Sequence, residues 1–209
     1  MSKPESLEVD ALDKDDVLVP YHATFLEWYN RIFGTTFATD DFEHNGLEKL
    51  LKLTVEKVQN VLRQFHDSYE FKSMTPYPGA EKMVERLAKR SNRGVVCITS
   101  RQDHLVDHTV RFNGQYFPGI KGTYFGRNKY PAGDTPRLTK AEHCKAVRAT
   151  TLTEDGVSYI ESCHAAGIKV VVFRQPWNRK LQGNLYTYVN NMAELEEVLM
   201  LNGRYNAKQ

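Results

Sequence analysis

Near the start of the chain the segment LEVDAL runs into Asp13-Lys14-Asp15, two carboxylates two positions apart at the end of a predicted strand. Alternation puts both on one side of an extended backbone, and two buried like charges are costly unless a cation sits between them. The spacing therefore predicts a Mg²⁺ site with a nucleophile in it, because Mg²⁺ takes carboxylate oxygens and leaves room for a phosphate. The same alternation sends the next acid, Asp16, away to a turn or to solvent.

Other predicted strands end in groups that complete a reaction. GVVCI runs into Thr99-Ser100, and TTLT runs into Glu154-Asp155. Lys140 opens a helix, with Thr139 and Glu142 in a capping-box pattern. Lys145 is its rival, but it lies more than a turn further in, whereas a first-turn residue can reach the strand-end face. If one sheet edge gathers these groups, they suit phosphoryl transfer through a covalent aspartyl-phosphate. Asp13 attacks phosphorus, and Asp15 protonates the leaving alkoxide and later takes a proton from water. Mg²⁺ is held by Asp13, the Asp15 carbonyl and Asp155, with Glu154 beside it or exchanging roles with Asp155. Thr99, Ser100, the amides of the following helix and Lys140 hold the phosphate.

The elements that must position these groups are legible from periodicity. HATFLEWYNRIF predicts an amphipathic helix buried through Phe25, Leu26, Tyr29, Ile32 and Phe33 and stopped by Gly34. GLEKLLKL and the run from Val55 to Phe65, capped by Thr54, continue the helical period, so residues 22–72 read as an all-helical insert. From the helix through Met83 and Leu87 onward, strand and helix alternate. GVVCITS, GTYFG, TTLTED and IKVVVF are the strands, and the last helix runs through Met192, Leu195 and Leu199. This order predicts an α/β fold with a mostly parallel sheet and helices on both faces. Asp10 and the TTLT run place polar residues where a buried strand calls for apolar ones.

Composition bounds the function. The 209 residues suffice for one core plus a small accessory unit, and a formal charge of +2 without a basic block argues against a nucleic-acid polymer as partner. Cys97, Cys144 and Cys163 lack zinc-type spacing and sit within apolar or helical patterns, which suits a reducing compartment. The polar start and the absence of any long uncharged apolar run predict no membrane span and a cytoplasmic protein. His104 and His108 share a helix face, but no third ligand accompanies them. Trp177 and Asn178 directly follow a strand, on the edge where the other groups lie or in a packing loop.

In this order, DKDDV (13–17), PYPGAEKM (76–83), CITS (97–100), KAEHC (140–144) and ED (154–155) resemble the motifs of the haloacid dehalogenase superfamily of phosphohydrolases. The resemblance implies a Rossmann-like core over 1–21 and 73–209, a helical cap over 22–72, magnesium dependence and a small phosphorylated substrate. It assigns the roles above to Asp13, Asp15, Thr99, Lys140 and Asp155. A narrower similarity, through DDVLVP, FLEWYNRIFGTTF, KAEHC and QPWNR (175–179), is to the 5′(3′)-deoxyribonucleotidases. That implies nucleoside monophosphates stacked on aromatics such as Phe25, Trp28 or Tyr29. A fold-sharing protein that binds phospholigands without turnover, or one that transfers phosphate to an acceptor other than water, would carry the same motifs.

Overall fold

The computed structural model describes residues 8–42, 46–91, 93–128, 130 and 137–205. The polar first segment and the last four residues of the tail lie outside them. Six strands, β1 (Glu8–Leu12), β2 (Arg93–Thr99), β3 (Thr123–Phe125), β4 (Ala149–Glu154), β5 (Lys169–Phe173) and β6 (Thr187–Val189), form one sheet in the order β3-β2-β1-β4-β5-β6. Every pairing is parallel. β6 has no counterpart in the sequence prediction.

The apolar strand runs are divided between two cores by alternation. Val171 and Phe173 of β5 pack with α5 (Ala80–Ala88) and α9 (Met192–Tyr205), and Val95 of β2 joins the same core, which also takes in Phe112 of α6 (Val106–Tyr116). Val96, Ile98, Val170 and Val172 face α7 (Lys140–Ala146) and α8 (Val157–Ala165) through Cys144, Ile160 and Cys163. A sheet covered on both faces is why these strands read as nearly continuous hydrophobic runs.

Asp10 of β1 finds partners that are distant in sequence, among them Thr151 of β4, while the buried Thr153 hydroxyl of β4 has no hydrogen-bond partner among the described residues. Asp10 is fully buried and accepts from Arg93 Nη2 at 2.5 Å and Nε at 3.2 Å, with Arg90 and the Thr151 hydroxyl as further donors. The carboxylate is thus fully bonded inside the sheet, the condition on which a buried charge is tolerated.

Between β1 and β2 the chain is helical: α1 (Tyr21–Phe33), α2 (Leu47–Leu50), α3 (Val55–Asp67) and α4 (Tyr69–Lys72). Gly34 ends α1 in the left-handed region at φ 67°, and Thr54 caps α3. The predicted buried face of α1 holds at Phe25, Leu26 and Tyr29, but Ile32 and Phe33 are nearly half exposed because the helix outruns its packing partners. No helix among the described residues is long and apolar enough to cross a membrane.

Candidate active site

Because β1 lies between β2 and β4 with connections running both ways, the crevice at the carboxyl ends of these strands is the topological switch point of the sheet. Asp13 leaves β1 with its amide donating to the Thr153 carbonyl at 2.9 Å, which fixes it beside the end of β4. Thr139 caps α7, with Glu142 completing the capping box, and this brings Lys140 over the same edge. The Lys140 ammonium lies 2.8 Å from Asp13 Oδ1 and donates to Glu154 Oε2 at 2.6 Å. Gly126 passes so close that a Cβ there would stand 3.2 Å from Lys140 Cγ.

Glu154 Oε1 accepts the amides of Asp155 and Gly156 at 3.2 and 3.0 Å. Asp155 is oriented by Trp177, whose Nε1 donates to Oδ2 at 2.9 Å, while Asn178 Nδ2 holds the Asp155 carbonyl at 2.9 Å. Trp177 and Asn178, left open by the sequence, thus sit at the site as supports for an acid. Carboxylate oxygens of Asp13, Glu154 and Asp155 all lie within 4.8 Å of one another.

Three buried carboxylates outweigh the one lysine among them. Burial, and next the Glu154 charge, hold the Asp13 and Asp155 carboxyls well above the usual range. Burial would pull the Lys140 ammonium down, but Asp13 and Glu154 outweigh it and hold it well above its ordinary value. The surplus of negative charge and the all-oxygen donor set fit a divalent cation of the Mg²⁺ type. The carboxylates that could hold it are Asp13, Glu154 and Asp155.

Asp15 takes no part in that cluster with its side chain. Its carboxylate is gripped by Arg101, through Nε at 2.9 and 3.1 Å and Nη2 at 2.6 Å, so Asp15 could reach a metal only through its main-chain carbonyl. Burial pushes the Asp15 carboxyl up, but the guanidinium outweighs it and holds it below the usual range. Lys14 turns away from the site. Its ammonium donates to Asn113 at 2.8 Å over the Phe112 ring, and burial, then Arg101, bring it down to about 7.

Thr99 and Ser100 line a cavity of about 350 Å³ together with Asp13, Lys140 and Asp155. Its outer wall carries Tyr21, Leu47, Leu62, Leu105 and Tyr130. One expectation needs correction here. Phe25, Trp28 and Tyr29 do not line the cavity: they are buried against Phe65 and one another in the core of the helical segment. His104 meets His66 Nδ1 at 3.0 Å, and His66 in turn meets the Tyr21 hydroxyl at 2.8 Å. Of the two places alternation allows Asp16, a turn or solvent, it takes the turn and is buried there. A left-handed backbone at φ 58° turns it inward, where it accepts from the amide and ring of His22.

Arg101 went unnoticed in the sequence. Its one signal was position, directly after Thr99-Ser100 on a loop that has to cross the functional edge.

No curated protein matches the sequence. Among solved structures, a HAD family hydrolase from Deinococcus radiodurans with bound phosphate and sodium superimposes with a TM-score of 0.66 at 15% identity, covering 96% of this chain and 98% of that one. A haloacid dehalogenase-like hydrolase from Streptococcus pneumoniae gives 0.63 at 13% identity, over 92% and 98% of the two chains. A HAD hydrolase from Bacillus subtilis bound to magnesium gives 0.56 at 14% identity, over 93% and 99%. At such identities the likeness establishes the fold.

The sequence itself matches, over residues 8–205, the family described as 5′ nucleotidase, deoxy (pyrimidine), cytosolic type C protein. Since that match runs from the first residue of β1 to the last of α9, the chain belongs to this nucleotidase family of the haloacid dehalogenase superfamily and is a phosphate monoester hydrolase.

Proposed function

We propose that the protein is a Mg²⁺-dependent phosphomonoesterase working through a phosphorylated Asp13, on a nucleoside monophosphate or another small phosphate ester. The observation that carries the reading is the convergence of Asp13, Glu154, Asp155 and Lys140 in one buried corner of a cavity that also holds Thr99 and Ser100. An Asp13 oxygen forms a bond to phosphorus as the bond to the leaving oxygen breaks, and Asp15, ionised beside Arg101 in the free protein, passes to the departing alkoxide the proton that it takes up when the substrate binds as its monoanion. Water then attacks the aspartyl-phosphate, giving its proton to Asp15 and returning Asp13 as a carboxylate. Lys140 and the Thr99 and Ser100 hydroxyls hold the phosphate oxygens as their charge is redistributed. When bound, a divalent ion supplies the positive charge that lets a carboxylate approach a phosphate dianion.

The substrate class is supported by the family match and by the cavity. Tyr21, Tyr130 and three leucines make a wall suited to a flat, partly apolar leaving group, and about 350 Å³ accommodates a small ligand. The test is phosphate release over deoxy- and ribonucleoside monophosphates, sugar phosphates and phosphoamino acids, with and without Mg²⁺ and with Asp13→Asn as blank. Turnover of one or more esters that disappears in the variant and on chelation is expected; equal release by Asp13→Asn ends the reading.

A further inference from the structure

Arg101 is 3% exposed, yet it lies on the cavity wall. Its guanidinium is held on three sides. Nε and Nη2 form a fork on the Asp15 carboxylate, Nη1 donates to Thr109 Oγ1 on α6 at 3.2 Å, and the Phe71 ring of α4 lies 5.3 Å from its central carbon. The main chain is held as well: its amide donates to Thr99 Oγ1 at 3.3 Å, and its carbonyl accepts Arg137 Nη1 at 2.6 Å.

A buried ion pair of this kind is a weak source of stability, because desolvating both groups offsets most of the attraction. What a planar fork does supply is geometry. Two parallel hydrogen bonds fix both torsions of an aspartate side chain, whereas a lysine, as a point charge, would fix neither. The residue so fixed is the one that must meet the leaving oxygen, and misplacing a reacting group by about 1 Å can cost on the order of 10²-fold in rate. The fork sits on the loop after β2, and its partners come from the loop after β1, α6 and α4, so the sheet and the inserted helices together set its position.

We infer that Arg101 is a positioning residue that aims the Asp15 carboxylate at the leaving-group oxygen, with Thr109 holding the guanidinium in register. The inference rests on the phosphomonoesterase reading above, with Asp15 as proton donor. It separates Arg101 from a phosphate-binding residue, which would serve every ester alike. An aryl phosphate expels a phenolate that needs no proton, whereas an alkyl phosphate expels an alkoxide that does.

The experiment compares kcat/KM for p-nitrophenyl phosphate and for the best alkyl ester of the screen in the wild type, Asp15→Asn, Arg101→Lys and Thr109→Val. This parameter runs only through transfer to Asp13, so the shared hydrolysis step does not enter. Arg101→Lys is expected to lose about 10²-fold on the alkyl ester, the lower end of what a positioned acid contributes, and less than about 10-fold on the aryl ester. It should thereby follow Asp15→Asn. Thr109→Val, outside the cavity and close in shape to the threonine it replaces, is expected to shift the aryl-to-alkyl ratio the same way by a smaller factor. Equal losses on both esters in Arg101→Lys, or no loss, overturn the inference. If circular dichroism shows that Arg101→Lys does not fold, Thr109→Val decides, and an unchanged ratio overturns it. A wild type idle on both esters, or an Asp15→Asn indifferent to the leaving group, overturns the underlying reading and the inference with it.

Discussion

Replacing Asp155 by asparagine tests the charge balance of the site without the need for a substrate. The asparagine oxygen can still accept the Trp177 Nε1 hydrogen bond, so the change removes a charge and little shape. In the metal-free protein Asp155 is repelled by Glu154, Asp16 and Asp13 and attracted by Lys140. Two unit charges 4.8 Å apart, the most that separates these carboxylate oxygens, repel by about 3.5 kcal/mol at an effective dielectric constant near 20, and the lysine offsets roughly one such pair while Asp16 adds to what remains. About 3 kcal/mol of relief remains, which for a chain of this size raises the metal-free melting temperature by roughly 6–12 °C. The sign follows from linkage. A carboxyl held above its ordinary range destabilises the fold as pH rises through that range, so the wild type at pH 7.5 carries the penalty and the variant does not.

Adding Mg²⁺ closes most of the gap. At 100 times its dissociation constant a ligand stabilises the folded state by about 2.7 kcal/mol, or roughly 5–11 °C here. Thermal melts in EDTA and across a MgCl₂ titration, with NaCl matching ionic strength, therefore should show the wild type climbing and Asp155→Asn starting high and staying flat. A variant that melts at or below the wild type in EDTA, or that gains as many degrees from Mg²⁺, would refute the reasoning.

Two further outcomes concern the fold. Burial and the neighbouring His104 pull the His66 imidazole down to about 3, so between pH 6.5 and that value the unfolded chain takes up a proton that the folded one refuses. Stability falls with acidification by up to about 1.4 kcal/mol per pH unit from this group, and denaturant curves from pH 6.5 to 5 should give His66→Asn a slope shallower by about 1 kcal/mol per unit on average; parallel slopes would contradict it. Arg93→Met leaves the buried Asp10 with Arg90 and Thr151 but without its fork, and should cost about 3 kcal/mol by urea unfolding. A loss under about 1 kcal/mol would mean that the Asp10 network is not what makes a polar β1 tolerable.

Much of the site was legible because its parts are local. Strand ends, the Thr139–Glu142 capping box and the Gly34 stop depend on bonds within a few residues, and they set Asp13, Thr99, Lys140 and Asp155 at element boundaries. Misreadings arose where a face or partner had to be guessed. Phe25, Trp28 and Tyr29 have the types of a base-stacking platform, but α1 turns them toward Phe65 of α3. Alternation allows Asp16 a turn or solvent, and the turn forms, but its burial comes from a left-handed backbone beyond Leu12 that obeys no period.

Taken alone, the sequence determined the α/β alternation, the inserted helices and the order in which the reactive groups reach one sheet edge, since periodicity and capping are properties of short windows. Tertiary structure decided which groups meet. Arg101 reaches Asp15 across 86 positions, Arg93 reaches Asp10 across 83, and Glu154 joins Asp13 because β4 lies directly beside β1. Such pairings come from strand order and from the need of each buried charge to find a counter-charge, and neither is written in the spacing of residues along one element.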